Sequence, residues 1–266
     1  MEPVGVVGLG VVGGALKEAL EATGIVVRGY DPYQGEGAPE RLSPCSLVFV
    51  CVATPSSESG ALDTSAVWKA VRDVEADLAD GTIVAVKSTV PPGTSVALAL
   101  DFPRFEFVSV PEFLVAARPL ESLTRPDRVL IGAGSDTAAR VVADMMRRVA
   151  PGAPILRLSP TEAELAKLFA NAMLATKVSM ANELALICDA LGVTWSNVQA
   201  AVGLDQRIGL QHLSVTPERG FGGGCLPKDL DGLIAAARQA GYDPWLLPGL
   251  SAFNNWVRGT GSDPTP

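Results

Sequence analysis

Three glycines spaced as Gly8-x-Gly10-x-x-Gly13 stand between an apolar run, Pro3 to Gly8, and a helix-forming stretch, Val11 to Ala22. Few folds accommodate that arrangement. Gly8 permits a tight turn, Gly10 admits close backbone approach, and Gly13 lets the helix pack against the strand. A second apolar run follows at Ile25 to Tyr30, and others at Leu47 to Val52, Thr82 to Val86, Phe105 to Val110 and Arg128 to Ile131. Amphipathic segments such as Ser65 to Ala79 separate several of them. Alternation of this kind predicts an α/β fold, a doubly wound parallel sheet with helices on both faces.

Taken alone, the glycine pattern is a weak signal, because glycines also serve ordinary turns. A strand before it and a helix after it make it the fingerprint of a Rossmann-type dinucleotide site. The loop Gly8, Gly10, Val11, Val12 and Gly13 then offers free N–H groups and the positive end of a helix dipole to a pyrophosphate. Asp31 ends the second strand, where a carboxylate accepts from both ribose hydroxyls and repels a 2′-phosphate. The expected cofactor is therefore NAD rather than NADP. Thr54, Ser88 and Thr89 close the third and fourth strands and are placed to line the nicotinamide side. The plain alternatives are a structural β-turn-α with a solvated Asp31, and helix caps or turn residues for the hydroxyls.

From Thr161 to Leu191 the chain contains neither Gly nor Pro, and Gly192 follows. One long helix is expected there, with Pro160 in its first turn. Shorter helices are expected at Trp195 to Val202, Asp229 to Ala240 and Pro244 to Trp256, with a glycine-rich loop from Gly220 to Gly224 among them. The expected organisation is a cofactor domain over 1–158, an all-helical domain over 159–258 and a disordered tail over 259–266. An apolar stripe along so long a helix needs burial, which points to a homodimer.

A formal net charge of -8 leaves no global basic field for nucleic acid or a membrane surface. The start of the chain lacks the basic leader of a signal peptide, and no apolar stretch approaches the roughly 18 residues of a membrane span. A soluble, cytoplasmic protein is expected. The four cysteines, Cys45, Cys51, Cys188 and Cys225, show no metal-ligand spacing, and no metal is expected. On composition alone each reads as a buried inert thiol.

Several motifs taken in order resemble the UDP-glucose/GDP-mannose dehydrogenase family: GLGVVGG, VCVATPSSESGALDTSAV, VKSTVPPGTS, PEFL, PDRVLIG, ELAKLFANAMLATKVSMANE, DQRIG and GFGGGCLPKDL. The resemblance implies a primary alcohol oxidised twice with two NAD molecules. It implies that Cys225 captures the aldehyde as a thiohemiacetal that becomes a thioester, with Lys228 and Asp229 stabilising the oxyanion and ordering water. Lys167 and Asn171 match the pair facing the reacting hydroxyl, and Glu112 matches the base for thioester hydrolysis. Thr89 matches a threonine that positions water or substrate, and Arg207 an arginine that reaches the sugar across a subunit interface. Phe113, Leu114, Phe221, Gly222 and Gly223 fall in the segments expected to line the substrate. The residues themselves suit these roles. A thiolate is both nucleophile and leaving group, and the glycine loop, the coming helix start and Lys228 favour it. Lys167 and Asn171, four apart, share one helix face.

Two departures from the family pattern stand out. Ala116 occupies the position of a second glutamate after PEFL, which puts the rate of thioester hydrolysis in question; Gly224 stands where many relatives carry serine. The family's further α/β domain, which supplies much of the nucleotide-sugar pocket, is expected to be missing from this short form. Beside a four-electron oxidation stand two other readings: an alcohol/aldehyde dehydrogenase that stops at the aldehyde, and a non-catalytic NAD-binding subunit.

Overall fold

The computed structural model describes residues 2–115 and 117–261. Ala116 and positions 262–266 of the expected tail lie outside the described residues. Contacts divide the chain into two compact units, Met1–Pro55 with Leu62–Lys167 and Ser56–Ala61 with Leu168–Pro266.

Seven short strands build the first unit: β1 (Val4–Val7), β2 (Val27–Tyr30), β3 (Leu47–Val50), β4 (Ile83–Val86), β5 (Glu106–Ser109), β6 (Val129–Ala133) and β7 (Ile155–Leu158). They form one sheet in the order β2-β1-β3-β4-β5-β6-β7. Its helices are α1 (Val11–Ala22), α2 (Ser65–Val74), α3 (Thr94–Asp101), α4 (Pro119–Thr124) and α5 (Asp136–Val149). Val4, Val6, Leu47, Phe49, Ala85, Val108 and Ile131 face α1 and α5, packing on Leu16, Leu20, Val142 and Met146. The alternate residues Val48, Val50, Val84, Val86 and Phe107 pack on Val67, Val71, Val74 and Leu98 of α2 and α3. Burial on both faces is why these strands read as continuous apolar runs rather than as alternating ones.

The sheet is not parallel throughout, as the sequence pattern predicts. Val108 of β5 pairs with Ala133 of β6 in antiparallel register, while β6 and β7 run parallel to each other. Only the six-residue α4 stands between β5 and β6, so that link has no full crossover helix. The sequence pattern also gave no warning of β7, whose partly exposed Ile-Leu-Arg-Leu is short.

Helix α6 (Pro160–Ala190) runs 31 residues, beginning in the first unit and continuing in the second. Its start is a capping box: Ser159 N–H donates to Glu162 Oε2 (2.7 Å) and Glu162 N–H to Ser159 Oγ (3.3 Å). At its end Gly192 takes φ 68°, and Val193 N–H returns to Cys188 O. The rest of the second unit is α7 (Trp195–Gly203), α8 (Leu226–Gln239) and α9 (Leu247–Val257). Helix α8 begins three residues before the expected Asp229, with Pro227 in its first turn. No helix among the described residues is long and apolar enough to cross a membrane.

Two residues seat the first turns of α6. Gly132 of β6 must lack a side chain, because a Cβ there would lie 2.6 Å from Ala163 Cβ and 2.8 Å from Ser159 O. Buried Glu164 then caps a different helix. Its Oε2 accepts Gly93 N–H (2.6 Å), and its Oε1 accepts Ser95 N–H (2.8 Å) and Ser95 Oγ (2.7 Å). Gly93 is the N-cap of α3 and has no side chain to do this itself. Burial pushes the Glu164 carboxyl above the usual range, against the opposing pull of its donors. Glu164→Ala strands these donors and is expected to lower unfolding free energy by about 3 kcal/mol, measured by urea denaturation of the full chain; Ala163→Ser, which leaves the cap in place, should lose less.

Candidate active site

The glycine loop builds a floor for a ligand. A Cβ at Gly13 would lie 1.8 Å from Gly8 O, and one at Gly8 (φ +85°) 2.8 Å from Cys51 O, so both positions pack backbone on backbone. Gly10 has nothing within 4 Å of its virtual Cβ and caps α1 without a side chain. The first-turn N–H groups of α1 are therefore left to an incoming anion. A cleft of about 380 Å³ opens beside them, lined by Gly8, Gly10, Asp31, Tyr33, Val52 and Lys69 among others. Asp31 is buried at the end of β2. Its Oδ2 accepts Leu9 N–H (2.8 Å) and Gln34 Nε2 (3.2 Å), and its Oδ1 accepts Tyr33 N–H (3.0 Å) and Gln34 N–H (3.2 Å). The bond from Leu9 ties the carboxylate to the glycine loop itself. Open space over Gly10 and a fixed carboxylate in the same cleft fit a dinucleotide.

The hydroxyls expected on the nicotinamide side are partly committed to the fold. Thr54 Oγ1 donates to Thr89 O (2.6 Å), and Ser88 Oγ donates to Val52 O (2.7 Å). Both bonds join the chain after β3 to the chain after β4. Thr89 itself is half-buried.

A second cluster of the first unit lies after β5. Glu112 Oε1 pairs with Lys167 Nζ at 3.3 Å, and its Oε2 accepts Leu114 N–H at 2.5 Å. The Phe113 ring lies between two cations, Arg128 at 4.0 Å and Lys167 Nζ at 5.2 Å from its centroid. Lys167 is buried, so this pair is held far more firmly than a surface ion pair. Lys87, at the end of β4, is buried beside them and lines the same small cavity as Glu112. Sequence reasoning missed it; a lysine ending a fully apolar strand was the available signal.

The second unit carries the remaining polar residues. Asp229, in the first turn of α8, is buried, and both its oxygens are taken: Asn171 Nδ2 donates to Oδ2 (2.6 Å) and Lys228 Nζ to Oδ1 (2.6 Å). Cys225 is the N-cap of that helix and is exposed, whereas Cys45, Cys51 and Cys188 are buried. Burial pushes the Cys45 thiol up to about 11 and that of Cys51 to about 12, so both are inert. The loop before Cys225 is pinned by two buried asparagines that sequence reasoning also missed. Asn182 Oδ1 accepts Gly220 N–H (3.0 Å), and Asn254 Oδ1 accepts Phe221 N–H (2.7 Å). The Phe221 ring is buried and anchors the loop, while Gly223 and Gly224 have open space around them. Gly222 packs on the Arg258 guanidinium. Arg207 is exposed and paired with Asp205 at 2.6 Å. Among the described residues no cluster of three His, Cys, Asp or Glu groups could hold a metal ion.

Comparison with known proteins agrees with this layout. Residues 34–150 match the NAD binding domain of the UDP-glucose/GDP-mannose dehydrogenase family, and residues 161–256 match its central domain. A UDP-glucose dehydrogenase structure from Pyrobaculum islandicum superposes with a TM-score of 0.85 at 33% identity, over 97% of this chain and 68% of that one. The chain belongs to the UDP-glucose/GDP-mannose dehydrogenase family. The UDP-glucose 6-dehydrogenase of Pseudomonas aeruginosa is 37% identical over 232 residues, 81% of this chain and 49% of the relative. The AglM UDP-glucose 6-dehydrogenase of Haloferax volcanii is 37% identical over 226 residues, 78% of this chain and 51% of the relative. The chain thus spans about half the length of the curated relatives it matches.

The match to the family's NAD binding domain makes NAD the cofactor, and we propose that the Asp31 carboxylate meets its ribose. Asp31→Ala is expected to weaken NAD binding by at least about tenfold, or about 1.4 kcal/mol, and to narrow the preference over NADP, both read by titration calorimetry. Equal affinity of the wild type for the two cofactors would contradict the assignment.

Proposed function

We propose that this protein oxidises the primary alcohol of a nucleotide sugar of the UDP-glucose kind, or of a smaller related substrate, to the carboxylate. The observation that carries the reading is the pairing of motif residues within each unit. Lys167 and Asn171, one turn apart, are each fixed by a carboxylate, Glu112 for one and Asp229 for the other. Lys167 and Asn171 hold the hydroxyl oxygen while its carbon gives up hydride. NAD supplies the hydride acceptor in both oxidations.

The Cys225 thiolate then adds to the aldehyde carbon, forming a thiohemiacetal whose oxyanion faces the start of α8 and Lys228. Loss of the second hydride leaves a thioester. Water, ordered by Asp229 and Thr89 and deprotonated by Glu112, displaces the sulfur. The balance is one alcohol, two NAD and one water to one carboxylate, two NADH and three protons. Phe113, Leu114, Gly222 and Gly223 contribute the substrate-side backbone and apolar surface.

Cys225→Ala is expected to lose carboxylate formation while still interconverting alcohol and aldehyde slowly. Glu112→Gln should slow hydrolysis by about 10²–10⁴-fold and leave a mass adduct on the Cys225 peptide. The checks are NADH counted per alcohol and mass spectrometry of the trapped protein. Two NADH per alcohol at near wild-type rate from Cys225→Ala would defeat the mechanism.

The functional unit is proposed to be a homodimer joined along α6. Phe169, Met173, Met180, Ile187 and Leu191 are all exposed and follow a spacing of four, seven, seven and four residues. That spacing makes one continuous seam on the helix, the pattern of an isologous helix contact. Arg207 reaches the partner's substrate in such an assembly. Light scattering is expected to give a dimer for the wild type and a monomer for Met173→Glu/Met180→Glu; a monomeric wild type at micromolar concentration would refute it.

A further inference from the structure

One buried lysine takes no part in the reaction above. Lys87 directly follows β4; its backbone N–H donates to Val50 O at 2.9 Å, and its side chain is turned inward, with only 3% of the residue exposed. It lines a small cavity with Glu112, Phe113, Arg128 and Met146. The charged and titratable groups facing it are Cys51 after β3, Glu112 after β5 and Lys167 of α6, with Arg128 across the Phe113 ring.

None of these groups neutralises an ammonium at Lys87. The Cys51 thiol, pushed up to about 12 by burial, is uncharged at neutral pH. Glu112 is the one anion of the group, and its oxygens are taken by Lys167 and by Leu114 N–H. Among the described residues no carboxylate forms an ion pair with Lys87. A second ammonium would leave one uncompensated positive charge in the interior, which is the costly arrangement, whereas an amine of the same size is tolerated. Burial, the largest effect, lowers the Lys87 ammonium from its ordinary value. Cys51 and Glu112 pull back, and Lys167 adds to the lowering.

We infer that Lys87 is a positioning residue, held as an uncharged amine beside the Glu112–Lys167 pair so that it does not compete with Lys167 for Glu112. A positive Lys87 would compete with Lys167 for the one carboxylate, Glu112, and disturb the pair. The consequence for rate rests on the function proposed above. The charge state itself does not.

The test uses Lys87→Met and Lys87→Arg in the full chain. Urea unfolding from pH 6 to 10, with no substrate or cofactor, reads the charge. A lysine whose folded-state proton affinity is lowered binds fewer protons folded than unfolded. Wild-type stability therefore rises with pH up to the unfolded lysine value of about 10.4. Lys87→Met removes that penalty. It is expected to be more stable than wild type near neutral pH, with the gap closing as pH rises. A stability difference between the Met variant and wild type that stays flat from pH 6 to 10 would mean a paired ammonium and overturn the inference. In turnover, Lys87→Arg should lose at least about a hundredfold in kcat with NAD affinity unchanged. Lys87→Met should lose less and carry the acid limb of its pH profile to lower pH. An Arg variant that outperforms Met would overturn the inference from the other side. A wild type with no turnover at all would sink the proposed reaction and leave the unfolding data to decide on Lys87.

Discussion

The Glu164 carboxylate holds two helices to one another by satisfying donors that neither could satisfy alone. It closes the bare N-terminus of α3, and in doing so fixes the angular setting of α6, whose Ala163 is pressed onto Gly132. The next turn of α6 presents Lys167 to Glu112, and the turn after presents Asn171 to Asp229. Within the first unit, the setting made at Glu164 reaches Lys167 less than one turn further along the helix. The three carboxylates serve different purposes. Glu164 is structural, Glu112 balances a buried cation, and Asp229 is oriented by an amide and an ammonium.

Much of this architecture was legible before any coordinates. The strand series, the glycine fingerprint and the uninterrupted run of α6 are local patterns, and local patterns survive translation into structure when burial on both faces demands them. Strand direction was not legible, because Val129 to Ala133 reads the same whichever way it runs. The start of α8 was misplaced by three residues, although Leu226-Pro227 after a glycine loop is a start signal. That shift matters, since it puts Cys225 at the N-cap and Lys228 and Asp229 inside the first turn.

The side-chain partnerships were legible only in part. Cys225, Lys167, Asn171, Lys228, Asp229 and Glu112 were named from ordered motifs, and the structure pairs all but Cys225 among themselves. The bonds that position them were hidden because they span long separations: 71 residues from Gly93 to Glu164, 38 from Gly220 to Asn182 and 33 from Phe221 to Asn254. A buried Asn or Glu inside a helical pattern looks like any solvated residue until its partner is known. Thr54 and Ser88 illustrate the reverse. Their position at strand ends was foreseeable, while the commitment of their hydroxyls to neighbouring carbonyls was not.

The two asparagine clamps have a mechanical consequence for Cys225. Gly220 and Phe221 are fastened on one side, and Leu226 enters a helix on the other, so Gly222 to Cys225 span the interval between the two anchors. Four residues reach at most about 14 Å when fully extended, which bounds the sulfur's travel to a small arc. Glycine makes that arc soft, and the fastened ends make it short. Together they place Cys225 at the end of a short glycine hinge whose two ends are fastened.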